Sequence, residues 1–213
     1  MTEERSTDRE EKRVRRQYRR TKERRQEILV TVVRLLSEPS CGGVTTKEIA
    51  KAMGVADGAL YRHFTGKTEI LLELIDFCRR SFEGMFNEIN AQTGVGMIGR
   101  AEIKARALLL FAEANPGLTR LLTGEALCGE SAEVKTAMRN TLATAEKSIA
   151  QTLELADVQR EAVSNTDFAG RAALVMSYIQ GRWSRFVASG FDEKPAEDWT
   201  KAKAILFSGL QHS

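Results

Sequence analysis

The segment 45–67, TTKEIAKAMGVADGALYRHFTGK, constrains this chain more than any other, because it reads as two short helices joined by a glycine turn. Thr45 and Glu48 have the spacing of a capping box, in which the Thr hydroxyl takes the Glu48 amide and the Glu carboxylate reaches back to the Thr45 amide. Ile49, Ala50 and Met53 then share one face at helical spacing, and Gly54 stands where a helix ends in the left-handed conformation that glycine adopts without a Cβ penalty. Past the turn, Val55 is placed to plug the joint, and 57–64 predicts a second helix with Ala59, Leu60 and Phe64 inward. Ala56 has no side chain with which to cap that helix, so the expectation is that Asp57 caps it one residue later.

The other face of the second helix carries Gly58, Tyr61, Arg62 and His63. Small residues such as Gly58 and Ala59 near its start let the backbone approach a groove, while Tyr, Arg and His offer donors to phosphates and base edges. Lys67 and Thr68 open a third helix, where free amides and the helix dipole favour a phosphate. A helix-turn-helix of this kind reads DNA, with Thr45, Thr46 and Lys67 as phosphate contacts, Gly58, Tyr61, Arg62 and His63 nearer the groove, and Lys47 and Ala59 also among the DNA-binding residues. The plainer alternative is a helical hairpin whose Arg62 and His63 are merely solvated. The order T-x-x-x-I-A-x-x-x-G-V-x-x-x-x-L-Y-x-H-F-x-x-K resembles the TetR family of bacterial DNA-binding regulators throughout its signature segment.

The net charge of +3 on 213 residues understates the polarity of the chain, because positive charge is concentrated near its start. Between Lys12 and Arg25 there are nine Lys or Arg and one acid, Glu23. A basic helix face, a disordered arm and a solubilising tail all fit such a run. Placed just before a helix-turn-helix, residues 1–23 are read as an arm that grips DNA backbone and steepens the salt dependence of binding. Cys41, Cys78 and Cys128 show no metal-pair spacing, and their odd number and the absence of a secretory h-region point to a reducing cytoplasm; the nucleoid association expected of this chain is implied only by the second resemblance given below. Cys78 and Cys128 are read as buried small hydrophobes, and no apolar run approaches a membrane span.

The remainder predicts an all-α, TetR-like chain: the arm 1–23, a three-helix DNA-binding domain 24–70 and a helical regulatory and dimerisation domain 71–213. Helices are expected over 27–37, with Ile28, Val32 and Leu36 on one stripe, over 65–90, with Phe77 among the inward residues, and over 100–114, which should be central. Asn115 is read as the cap of a helix with Pro116 at its first position, Ser131 as the cap of a helix running to about residue 155, and Asp167 as the cap of the next. That helix carries Phe168, Ala172, Val175, Met176, Ile179, Trp183, Phe186 and Val187, and the last one Trp199, Ala202, Ile205, Leu206 and Leu210. Two C-terminal helices so apolar are expected to bury their surface in a homodimer, which also suits palindromic double-stranded DNA.

Two further stretches, NPGLTRLLTGEAL from Asn115 and WSRFV from Trp183 with the segment 191–199 after it, resemble the nucleoid occlusion members of the TetR family. That resemblance implies a DNA-bound dimer whose groove beside the long fourth family helix takes the tubulin-like division protein FtsZ, with Phe77 and Asn115 in the groove. Met85 and Ala114 depart from it, standing where basic residues are expected. Read without the resemblance, Phe77 is core and Asn115 a helix cap. The alternative function is a small-molecule-responsive repressor, for which Ser177, Tyr178 and Gln180 are the candidate pocket groups. With no P-loop, no paired Cys or His spacing and only His63 and His212, the sequence argues against an enzyme and calls for no cofactor or metal.

Overall fold

The computed structural model describes residues 19, 21–41, 43–162 and 167–210, and every regular element named among them is helical. The first helix, α1 (21–36), buries Ile28, Val32 and Leu36, the stripe expected from the sequence. Residues 1–18 and 20 of the basic arm lie outside the described residues, as does His212. After α1 come α2 (Thr46–Met53), a 3₁₀ helix (Asp57–Arg62), α3 (Lys67–Asn90), α4 (Met97–Ala114) and α5 (Pro116–Leu122). A second 3₁₀ turn (Glu125–Leu127), α6 (Ala132–Val158), α7 (Phe168–Ala188) and α8 (Trp199–Leu206) complete the order. The lines drawn after residues 23 and 70 both fall inside continuous helices, α1 and α3.

Helix α4 is the hub, packed against α3, α5, α6 and α7. Leu108, Leu109 and Phe111 are buried, as the run of apolar residues requires, while Leu110 remains exposed. Ser131 caps α6 by accepting from the Val134 amide, and Asp167 caps α7 by accepting from the Gly170 amide at 2.8 Å. Asn115 behaves otherwise. Its side-chain nitrogen donates to the Phe111 carbonyl at 2.8 Å and so seals the end of α4, leaving Pro116 to start α5 with no side-chain cap.

The apolar band of α7 does not wait for a second subunit. All eight of its residues from Phe168 to Val187 named above are buried within this chain, and Trp183 Nε1 donates to the Leu108 carbonyl at 3.2 Å. The physical reason is that α4, α5 and α6 already surround α7. What remains outside is narrower: Leu155 and Val158 at the end of α6, Leu174 on α7 and Ile205 on α8. Phe77 is likewise not core, since 48% of it is exposed. Cys128 is exposed rather than buried; Cys78 is buried, and burial pushes its thiol up to about 12.

The head formed by α1, α2 and the 3₁₀ helix is tied to the body, the helices that follow, through α5. Gly117 lies so close to α1 that a Cβ there would sit 2.2 Å from the Val33 carbonyl oxygen. Beside it, Arg120 is 1% exposed and donates to the carbonyls of Leu36 and Glu38 at 2.5 and 2.6 Å and of Pro39 at 3.1 Å. It therefore takes up the Leu36 carbonyl, which the end of α1 leaves without a helical partner, together with two carbonyls of the loop that follows. Its guanidinium also lies 4.8 Å from the centre of the Phe191 ring, and this contact, with the edge-on packing of Phe186, accompanies a positive φ of 74° at Phe191.

Candidate nucleic-acid interface

The first helix and turn of the 45–67 segment are built as the sequence demands. Thr45 Oγ1 accepts from the Glu48 amide at 3.2 Å while Glu48 Oε2 accepts from the Thr45 amide at 2.8 Å, closing the capping box at the start of α2. The Thr45 hydroxyl and then its amide hold the Glu48 carboxyl below the ordinary carboxylate range. Gly54 ends α2 at φ 67°, and the Val55 amide returns to the Ala50 carbonyl at 3.0 Å, which sets the turn.

The second helix differs from the expectation. It is a 3₁₀ helix ending at Arg62, Ala56 occupies the cap position without a side-chain bond, and Asp57 is already its first residue. Without a capping oxygen the backbone closes on itself with tight bonds, from the Ala59 amide to the Ala56 carbonyl at 2.8 Å and from His63 to Leu60 at 2.9 Å. Leu60 and Phe64 are buried, as predicted, and Ala59 is half-buried.

On the outer side Gly58, Tyr61 and Arg62 are exposed, together with Thr45 and Lys47, while Thr46 is half-buried. Gly58 has an ordinary negative φ and nothing within 4 Å of where a Cβ would stand. Packing therefore does not call for glycine there, although glycine weakens a helix by about 1 kcal/mol relative to alanine. His63 is half-buried, and its Nδ1 is buried without a hydrogen-bond partner. Lys67 is not free: its Nζ lies 2.5 Å from Glu130 Oε1.

Arg25, counted in the basic block, turns inward onto the protein. It donates to the His63 carbonyl, to Glu69 at 2.9 Å and to Glu73 at 2.5 Å, with its guanidinium 4.0 Å above the Phe64 ring. The end of the recognition helix is thereby pinned to α1 and α3. The Thr65 amide first, and then Arg25, lower the pKa of Glu69. Sequence periodicity could not find this clamp, because its partners lie 38 to 48 residues away.

A second feature opens between α1, α3 and the start of α5. Phe77 and Asn115 line one groove of about 680 Å³. Its apolar wall includes Leu29, Val30 and Val33 of α1 with Leu74 and Leu118, and its cations are Lys22, Arg25 and Arg80. Met85 is packed against the core and does not line it. The candidate pocket groups of α7 do not converge: Ser177 is exposed and bonded to the Ala173 carbonyl, and Tyr178 packs on Trp199 at 6.4 Å between ring centres.

Comparison with known proteins decides the family. A profile of bacterial regulatory proteins of the tetR family matches residues 28–74, and a tetracyclin repressor-like C-terminal domain of SlmA-like type matches residues 96–211. The chain belongs to the TetR family. Within that family it is similar to the nucleoid occlusion factor SlmA of Marinomonas sp. (strain MWYL1), at 32% identity over 88% of this chain and 95% of that protein. The nucleoid occlusion factor SlmA of Marinobacter nauticus is 34% identical over 86% of this chain and 93% of its own length. In fold the chain is similar to the transcriptional regulator FadR of Bacillus subtilis, solved in complex with stearoyl-CoA, with a TM-score of 0.72 at 17% identity over 87% of this chain and 99% of that one. Among the described residues no helix is long and apolar enough to cross a membrane.

Proposed function

We propose that this protein is a nucleoid occlusion factor: a dimer that sits on palindromic chromosomal sites through its helix-turn-helix and restrains FtsZ-dependent division across the nucleoid. The observation that carries this reading is that Phe77 and Asn115, far apart in sequence, meet in one groove between α1, α3 and the start of α5. The relatives named SlmA, similar along most of the chain, support it. In this reading Thr45, Thr46, Lys47 and Lys67 take phosphates, Gly58, Ala59, Tyr61, Arg62 and His63 face the groove of DNA, and the apolar groove takes FtsZ. The residual apolar side chains Leu174 and Ile205 on α7 and α8 form the dimer contact. The arm 1–23 adds backbone contacts, the head 24–70 reads DNA and shares the partner groove through α1, and the body 71–213 completes that groove and carries the dimer contact. The protein is no enzyme and works in the cytoplasm on the nucleoid.

The test has two parts. Chromosome-wide occupancy should give many dispersed sites that thin toward the replication terminus; one or a few promoters would instead indicate a local repressor. A complex with FtsZ should form on DNA and be lost in Phe77→Ala while DNA binding persists. Arg62→Ala should weaken specific binding by about 1–3 kcal/mol and flatten discrimination between sequences if it reads a base. A uniform loss on all DNA would make it a phosphate contact.

A further inference from the structure

Lys67 stands at the first residue of α3, three positions after the buried Phe64 that anchors the recognition segment. Its ammonium is 2.5 Å from the Glu130 carboxylate, with side-chain exposures of 26% and 13%. Glu130 belongs to the body. It closes the turn after the second 3₁₀ helix, its amide bonded to the Leu127 carbonyl at 3.1 Å, and the next residue, Ser131, caps α6. The carboxylate is thus fixed on the body while the ammonium is fixed on the head. Glu48, another carboxylate whose field includes Lys67, is already engaged by the Thr45 amide and hydroxyl, both at 2.8 Å.

A carboxylate held at an ammonium that would otherwise meet a phosphate acts twice. It neutralises the charge that would attract the phosphate, and it sets a negative charge where the phosphate must come. We infer that Glu130 is an internal competitor of the DNA phosphate for Lys67 and holds the DNA affinity of each head below what its cations would otherwise give. The inference rests on the DNA-binding reading above. Glu130 is 63 residues beyond Lys67 and outside the helix-turn-helix signature, so only the packing of head on body brings it into the interface.

The test uses the full-length protein and a random-sequence DNA duplex, followed by fluorescence anisotropy over a series of salt concentrations. Wild type, Glu130→Gln, Lys67→Gln and the double variant are compared, each with a thermal melt to show that it is folded. Glu130→Gln keeps the size of the side chain and removes its charge. It should tighten binding about two- to fivefold per head. It should also steepen the slope of log K against log salt by about 0.9 per head, the signature of one more neutralised phosphate. In the Lys67→Gln background Glu130→Gln should change neither quantity. Unchanged or weaker binding in Glu130→Gln, an unchanged slope, or a gain that survives in the Lys67→Gln background overturns the inference. Wild type that binds no duplex even at low salt overturns the DNA-binding reading itself, and this inference with it.

Discussion

Replacing Arg120 with Met puts the junction between head and body to a quantitative test. The side chain lost is almost fully buried and serves three carbonyls, of which the one on buried Leu36 is shielded from water while Glu38 and Pro39 belong to exposed residues. Rehydration can therefore replace part of what Glu38 and Pro39 lose, but not the bond to Leu36. A hydrogen bond from a charged donor contributes about 1.5–3 kcal/mol. The contact with Phe191 adds roughly 1 kcal/mol, and relief from burying a guanidinium offsets part of the sum. The net expectation is a loss of about 2–4 kcal/mol, which in a chain of this length lowers Tm by roughly 4–16 °C. Circular dichroism melts measure it. Arg120→Lys, which keeps a charge but not the planar fork, should fall between the two, because one ammonium cannot reach all three carbonyls in the same geometry. An Arg120→Met protein that melts within about 2 °C of wild type would refute the argument that these carbonyls depend on Arg120.

Gly117→Ala places a methyl 2.2 Å from the Val33 carbonyl, and forcing α5 away from α1 should cost about 1–3 kcal/mol, read as a lower urea midpoint at constant slope. Thr45→Ala removes the capping box and should destabilise the head by about 1 kcal/mol. NMR titration should then show the Glu48 carboxyl rising toward its ordinary pKa. Lys104, 1% exposed and bonded to Ser148 and Thr152, has its pKa lowered to about 8, first by burial and then by the charge of Arg100. The unfolded lysine titrates near about 10.4, so between the two values the unfolded chain binds more protons and stability rises with pH. Lys104→Met removes that rise. Wild type should gain on the variant as pH goes from about 8 to 10, and a difference in Tm that stays constant across this window would contradict the assignment.

What could be read from the sequence was the part fixed by neighbours three or four residues apart. The Thr45–Glu48 box, the glycine at 54, the caps at Ser131 and Asp167 and the buried stripe of α1 are all local, and each stands as expected. Ala56 marks the limit of that reasoning: sequence identified the missing cap, yet the backbone answered it with a tighter helix instead of borrowing Asp57.

Local pattern determined that this chain is helical and carries a recognition segment, because capping and periodicity involve residues already close along the chain. Tertiary structure alone decided which charges are free and which apolar faces are open. Arg25 clamps His63 from 38 residues away, Arg120 reaches Leu36 across 84, and Lys67 meets Glu130. Phe77 is turned out into a groove that α1 and α5 complete, while the band of α7, apolar enough for a dimer seam, is used up inside the subunit. Periodicity shows that a face is apolar, but the element that covers it is set by the packing of distant segments.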